Sequence, residues 1–458
     1  MTDKPTTRVR WRLVFWLFVL SAVSYLDRVN ISVAGSLLAS AYRFSNVQLG
    51  WIFSSFLVSY AMFQTVGGRL ADRLGSRRVL TIGVLWWGVF TALTAAVPLR
   101  IAGALGLLMA IRFLLGAGEA VVYPASSQFI ARWIPSQERG IANGWIFAGV
   151  GAGAGLSPPL ITYIMVRYGW RASFWVCAAI GVAVGVVWYV IARDEPAEHL
   201  RVSFTELALI RSGLTLTAKT DSGNPKPPDG SEVVSWAMVL KNQGVLAVTL
   251  SYFCFGYVAW IFFSWFYIYL AQVRGLNLKA SAFYAMLPFV AMAACCTLGG
   301  TMSDRLTRWR GPRFGRCALA SIAMTIAAAF LSLGSLVQSA RFASVILAGG
   351  AGALYLAQSS FWAVTADIAG ASYGSISGFM NMGGQVGGAV TASLTPWVAA
   401  RLGWTASFLV AAAMCLVGAV SWLVVDPTKT LALRRELRSP TSFPDHSMKR
   451  IRTTPASS

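Results

Sequence analysis

Two pairs of charged residues interrupt stretches that are otherwise apolar. Asp27 and Arg28 stand in "SYLDRVNIS", and Arg112 and Glu119 bracket "RFLLGAGE". Arginine keeps its charge at any working pH and presents a planar fork of donors, which suits it to hold a carboxylate. A carboxylate placed between a desolvating environment and a guanidinium is suited to gain and lose a proton near neutral pH. The four residues could therefore bind an anion and exchange a proton, with Arg28 and Arg112 as anion anchors and Asp27 and Glu119 as proton-coupling acids. Adjacent helical residues point about 100° apart, so Asp27 and Arg28 cannot face one direction. One is expected to face a cavity and the other a neighbouring helix. Arg112 and Glu119 are spaced two turns apart on one helix face, so the same span carries a cation and a carboxylate.

The elements that hold these residues are membrane helices. The 458-residue chain is 56% hydrophobic and only 12% charged, with a mean hydropathy of +0.61, too apolar for a soluble globule of this size. Apolar spans fall near 13–38, 47–67, 79–98, 101–124, 140–166 and 171–192, then near 244–271, 281–302, 316–336, 342–366, 374–399 and 404–425. A bilayer core of about 30 Å takes roughly 20 helical residues, which puts Asp27 and Arg28 close to the midplane. A charge there costs about 2.5–3.5 kcal/mol on insertion scales, so a compensating partner or function is required. The expectation is an all-α membrane protein of twelve transmembrane helices in two six-helix bundles, 1–192 and 242–427. Between them lies a polar linker, 193–241, in which "SFTELALIRSGL" could form a short surface helix, and a tail follows from 428 to 458.

The net charge of +21 does not point to nucleic acid, because the basic residues lie between apolar spans and form no binding stripe. With the N-terminus inside, the cytoplasmic segments hold 28 Lys and Arg and the opposite face eight, which places both termini in the cytoplasm. The first apolar run is too long for a signal peptide and reads as a retained helix. The six cysteines lie in or beside apolar spans without CxxC spacing and read as small core residues; no metal-ligand cluster is visible. His199 and His446 lie in polar segments, outside any proton path.

The two halves repeat each other. "VGGRLADRLGSRR" (66–78) aligns with "LGGTMSDRLTRWR" (298–310), and "YGWRASF" (168–174) with "LGWTASF" (402–408). Gly144, Gly149 and Gly153 align with Gly378, Gly383 and Gly387, all at offsets of 232 to 234. Parallel six-helix repeats place a binding site at the midplane between the halves. Further polar groups could complete it: Tyr25 and Tyr60, then Gln358, Ser359, Ser360 and Trp362 in the tenth span, and Asn381 and Gln385 one turn apart in the eleventh. The aromatic run 257–269 reads as packing or lipid-facing surface, although Tyr257 or Trp260 could touch a ligand.

The segment Gly68 to Arg78 closely resembles the loop signature of the major facilitator superfamily. Together, "YLDRVNISVA", "RFLLGAGEAVVYPA", "RWIPSQERGIANG" and "YGWRASFW" resemble its anion:cation symporter family, whose members carry hexonates, hexuronates, aldarates and aromatic carboxylates. The resemblance covers nearly the whole chain except the linker and tail. It implies the major facilitator fold, a sugar-acid site at Tyr25, Tyr60 and Asn381, and a cytoplasmic gate at Gly68, Asp72, Arg73, Gly75 and Arg77, repeated at Gly300, Asp304 and Arg305. In that gate Gly68 would permit close helix approach and Asp72 would meet a helix N-terminus or a basic partner. The expected function is proton-coupled import of a carboxylate-bearing organic anion across a bacterial inner membrane by a monomer, with H⁺ as coupling ion, no cofactor, no enzymatic chemistry and no nucleic-acid partner. A drug or cation antiporter of the same fold and a non-transporting sensor are the alternatives.

Overall fold

The computed structural model describes residues 7–135, 138–221, 240–369 and 373–428. Among the described residues it is helical throughout. The first six spans are Val9–Tyr42, Asn46–Leu74, Ser76–Ala96, Ala104–Glu119 continued by Val122–Trp133, Arg139–Tyr168 and Trp170–Ile191. The seventh is Gln243–Ser264, prolonged through Tyr269–Val273. The eighth to tenth are Leu278–Arg310, Leu319–Leu336, and Ala340–Leu356 continued by Gln358–Ala369. Tyr373–Ser421 is two helices, the eleventh and twelfth spans, divided at Gly403.

The division shows why the "GW" repeat recurs. Gly169 separates the fifth and sixth spans with φ 83° and ψ 163°, and Gly403 separates the eleventh and twelfth with φ 83° and ψ 165°. Both turns need a positive φ, which glycine adopts without a Cβ clash. The glycines of the fifth and eleventh spans also have matching roles. A Cβ on Gly153 would strike the carbonyl of Ala22 in the first span, and one on Gly387 the carbonyl of Phe253 in the seventh. Small residues here let the backbones touch, the usual basis of helix association in lipid.

Equivalent breaks interrupt the fourth and tenth spans, after Glu119 and after Leu356. At the first, Gly67 packs so that a Cβ would lie 2.8 Å from the Cα of Val121; at the second, Gly299 packs on the Leu356 carbonyl. The close-approach glycines are thus Gly67 and Gly299, a correction to Gly68, whose Cβ would meet only Pro124 at 3.7 Å. The two adjacent glycines sit about 100° apart on the helix, so only one can face the partner backbone.

On the face opposite the termini the halves are hydrogen-bonded together. Ser32 donates to the Ser264 carbonyl at 2.7 Å, Ser54 to the Ala389 carbonyl at 2.6 Å, and Thr162 pairs with the Tyr267 hydroxyl at 3.1 Å. Pro396 lacks an N–H, so the carbonyl of Ala392 one turn earlier has no helical donor. The Trp265 indole supplies one at 3.1 Å, and Gly50 packs directly on that carbonyl.

The stretch "SFTELALIRSGL" lies at the start of a longer helix, Phe204–Asp221. Its Glu206 is fully buried and reaches the start of the first span, accepting hydrogen bonds from the Val9 and Arg10 backbone N–H groups and from the Arg10 guanidinium at 3.1 Å each. Arg10 also pairs with Glu138 at 3.0 Å. Most of "KTDSGNPKPPDGSE", His446 and nearly all of the tail lie outside the described residues.

Candidate functional site

Ser24 and Arg28 are one turn apart in the first span and present one face to the fourth. Both donate to the same oxygen of Glu119: Ser24 Oγ at 2.7 Å and Arg28 Nε at 2.5 Å. The ion pair is buried, with side-chain exposures of 2% and 0%. The guanidinium lies over the rings of Tyr60 at 4.4 Å, Tyr25 at 4.7 Å and Phe56 at 5.4 Å, so aromatic faces supply part of what water would. Two atoms of the pair remain without a hydrogen-bond partner among the described residues, Arg28 Nη2 and Glu119 Oε2.

Asp27, about 100° around the helix, turns the other way. Its carboxylate stands beside Trp87 and Cys177 and within electrostatic reach of Arg112 and Glu119, yet neither oxygen has a hydrogen bond of good geometry. Arg112 lies 5.5 Å from the centre of the Phe56 ring and likewise keeps Nε and Nη1 without a hydrogen-bond partner among the described residues. Shared helix face therefore does not mean shared ion pair. Seven residues rise about 10.5 Å along a helix, too far for Glu119 and Arg112 to meet, and Glu119 pairs instead across the helix interface with Arg28.

Arg28 and Arg112 line one narrow cavity between the halves, with room for about 20 Å³, walled by Phe53 and Phe56 on one side and Trp260 and Phe263 on the other. Trp260 is thus a cavity residue, whereas Tyr257 is buried beside Thr391 and Thr395. Toward the terminal face the site becomes a cluster of phenols. Tyr25 is in electrostatic contact with Tyr123, Tyr60, Tyr252 and Tyr355, and its ring meets Phe263 edge-on at 5.5 Å. Tyr252 accepts from Gln358 Nε2 at 3.2 Å and packs edge-on to Trp362 at 6.3 Å.

The remaining residues separate into two groups. Asn381 donates to Gln64 across the halves at 3.0 Å, and the Gln385 carbonyl oxygen is buried without a partner among the described residues, so the eleventh span contributes polar groups at this level. Ser359 is engaged with the Cys296 carbonyl at 3.2 Å, a contact between the tenth and eighth spans. Ser360 is fully buried.

In the loop after the second span, Gly75 has φ +84° and the Arg77 backbone N–H donates to Asp194 at 2.8 Å. The acid at the N-terminus of the third span is Asp194, from the end of the sixth; the Asp72 side chain lies outside what the structure describes. Arg77 stacks on Tyr189 at 4.2 Å. Arg73 is exposed, as are Asp304 and Arg305, and a Cβ on Gly300 would meet Ser359 at 3.2 Å.

Ser24, Gln64 and Tyr123 were legible and missed. Ser24 and Gln64 lie one turn from Arg28 and Tyr60 on the same helix face, and Tyr123 lies four residues beyond Glu119, past the break in the fourth span. Tyr355, three residues before Gln358, was legible on similar ground; Tyr252 had no such signal, because it sits among other aromatic and apolar residues.

Comparison with known proteins agrees with this architecture. The "Probable sulfoacetate transporter SauU" of Cupriavidus necator is 30% identical over 432 residues, covering 93% of this chain and 96% of that protein. The "Probable galactarate/D-glucarate transporter GudP" of Bacillus subtilis is 29% identical, covering 95% and 96%. Among solved structures, a bacterial homolog of the human lysosomal transporter Spinster, inward-facing and unoccupied, superposes with a TM-score of 0.73 at 15% identity over 92% of this chain and 97% of that one, a likeness of fold. The model of the Major Facilitator Superfamily matches residues 17–392 and 311–456. The chain belongs to the Major Facilitator Superfamily, in keeping with its anion:cation symporter-type permeases, and is a membrane transporter rather than an enzyme.

Proposed function

We propose that the chain is a proton-coupled symporter that imports a carboxylate-bearing organic anion by alternating access across a bacterial inner membrane. The observation that carries this reading is the position of Arg28, tied through Nε to Glu119 while Nη2 remains without a partner at the cavity between the halves. With Glu119 ionised the pair is neutral. Once Glu119 takes a proton, the Arg28 charge is uncompensated and favours an anion. Proton and anion then bind cooperatively, each raising affinity for the other by the same factor. Accumulation further requires that the proton and the anion bind the two access states differently.

Sulfoacetate and D-glucarate, named for the relatives, are the first substrates to test. Purified protein in liposomes with an alkaline interior should accumulate at least one of them above its external concentration, and collapse of the pH gradient should abolish the accumulation. An anion that enters but never accumulates would overturn proton coupling, and outward movement of a cation would replace the reading with an antiporter.

A further inference from the structure

By helix order, the face opposite the termini carries Arg43, Arg100, Arg167, Arg171, Arg274, Lys279, Arg341 and Arg401, and not one Asp or Glu. Apart from Asp27 and Glu119, all acidic residues in the chain belong to the terminal face. Membrane topology does not explain this asymmetry. Insertion favours removing Lys and Arg from the translocated side, while acids contribute little to it.

Local structure accounts for part of the set. Arg171 donates to the Ala95 and Val97 carbonyls at 3.0 and 2.9 Å, closing the end of the third span. Arg274 does the same for the ninth, reaching the Val337 carbonyl at 2.8 Å. Arg167 and Arg401 stack on Tyr163 at 5.4 Å and Trp397 at 4.0 Å, exposed aromatics of the kind found where a protein meets lipid headgroups.

Lys279 and Arg341 have no such account. Each is exposed and lies in the first turn of a span, the eighth and the tenth, where the helix dipole favours an acid and disfavours a cation. They line the same open concavity of about 590 Å³, together with Asn277 and Tyr284. Two cations and two helix N-termini thus converge on one dish, and no carboxylate on that face offsets them.

We propose that this face is an anion-collecting surface, centred on Lys279 and Arg341, that concentrates the organic anion at the entrance before it reaches Arg28. The inference rests on the transport reading above, and it makes a separate electrostatic claim. A uniformly signed surface raises the local concentration of an oppositely charged solute by about 10-fold or more, and salt removes the effect. Arg28 selects the ligand; the outer cations only shorten its search.

The first test needs no substrate. In full-length protein held in phosphatidylcholine vesicles, which carry no net lipid charge, a thiol is introduced as Ala280→Cys. Its reaction rates with a sulfonate-bearing and a trimethylammonium-bearing methanethiosulfonate are compared, after subtraction of the parent protein. We expect the anionic reagent to be favoured by about 10-fold, relative to a free thiol, at low salt. The preference should fall toward unity as salt rises from about 0.01 M to about 1 M, where the screening length shrinks from about 30 Å to about 3 Å. It should also fall in Lys279→Gln/Arg341→Gln. A ratio near unity at low salt overturns the proposal whether or not transport is observed.

The second test uses D-glucarate and sulfoacetate uptake in the same vesicles. KM should rise several-fold with salt, and the double variant should show the high KM at low salt, with maximal rate and substrate preference unchanged. A KM indifferent to both salt and the double variant would overturn the collecting role even if the reagent ratio shows a positive surface. Absence of any anion transport would instead overturn the transport reading, leaving the reagent ratio to decide the surface.

Discussion

Glu119 Oε1 receives both Arg28 Nε, at 2.5 Å, and Ser24 Oγ, at 2.7 Å, so one carboxylate oxygen from the fourth span is bound twice by the first while its other oxygen is bound by nothing described. On the proposed reading Glu119 is a lock on Arg28, and a proton on the carboxylate weakens it. Loss of the carboxylate charge removes the Coulomb attraction to Arg28, leaving its charged donor on an uncharged acceptor, and turns the Ser24 contact into a neutral hydrogen bond, roughly half as strong. Among the described residues Asp27 has no arginine hydrogen-bonded to it and no comparable lock. Its neighbours Trp87 and Cys177 belong to the third and sixth spans, inside the N-terminal bundle.

The first prediction follows from that lock. Glu119→Gln keeps the shape and removes the carboxylate to which the proposal assigns coupling, so it should abolish accumulation driven by a pH gradient while retaining substrate exchange between the two sides. Counterflow in proteoliposomes measures the exchange. A variant that still accumulates substrate with normal pH dependence would remove Glu119 from the coupling step.

Arg28 is predicted to be the anion anchor. Arg28→Lys keeps the charge and loses the planar fork and its stacking on Tyr25 and Tyr60, so affinity should fall by about 10-fold or more, equivalent to roughly 1.4 kcal/mol per factor of ten. Arg28→Ala should lose binding altogether and also leave Glu119 buried without its cation, a loss of about 3–5 kcal/mol in stability. Arg28→Ala/Glu119→Gln removes the stranded charge and should recover stability without recovering binding. Calorimetric binding of D-glucarate or sulfoacetate, together with thermal unfolding, separates the two effects.

Much of this was visible in the sequence, and the reasons differ by residue. Asp27, Arg28, Arg112 and Glu119 stood out because charge inside an apolar helix is costly and therefore selected for a purpose. Spacing along one helix could say which face each residue takes. It could not say which residue on another helix it would meet, and so Arg112 and Glu119 looked like partners when Arg28 and Glu119 are. The same limit explains Asp194. Nothing in "RDEPAEH" announces that its first acid meets the start of the third span, because that contact joins residues 117 positions apart. The phenol cluster around Tyr25 was legible only in part, at Tyr25 and Tyr60, for another reason: in a chain with 14 tyrosines and 26 phenylalanines, a tyrosine such as Tyr252, set among other aromatic residues, carries no signal until the fold brings it to the site.

A third prediction concerns Glu206, which holds the start of the first span through two backbone N–H groups and the Arg10 side chain. Glu206→Ala should remove this cap and leave a buried guanidinium with Glu138 as its remaining carboxylate partner. The stability loss should approach the ~3–5 kcal/mol of a broken buried pair. Glu206→Gln should cost less, because the amide oxygen can still accept from the backbone. Thermal unfolding in detergent tests the order; equal losses in both variants would mean that charge and not capping holds the contact.

The last prediction addresses the closed contact on the face opposite the termini. Pro396 leaves the Ala392 carbonyl without a helical donor, the Trp265 indole fills that role at 3.1 Å, and Gly50 of the opposite half packs on the same carbonyl. Trp265→Phe keeps an aromatic ring, smaller than the indole, but removes the donor, and an unsatisfied buried carbonyl costs ~1–3 kcal/mol. The carbonyl gains water when the halves part, so the variant should favour the state open on that face. A thiol placed at Ser54, which donates across the same contact to the Ala389 carbonyl at 2.6 Å, should become several-fold more reactive toward an impermeant reagent. Pro396→Ala restores an N–H to the Ala392 carbonyl from within the helix. Added to Trp265→Phe it should return the Ser54 reactivity toward that of the parent, although neither substitution touches the thiol. If the proline replacement gives no rescue, the indole acts through packing alone, and the freed carbonyl has no part in closing this face.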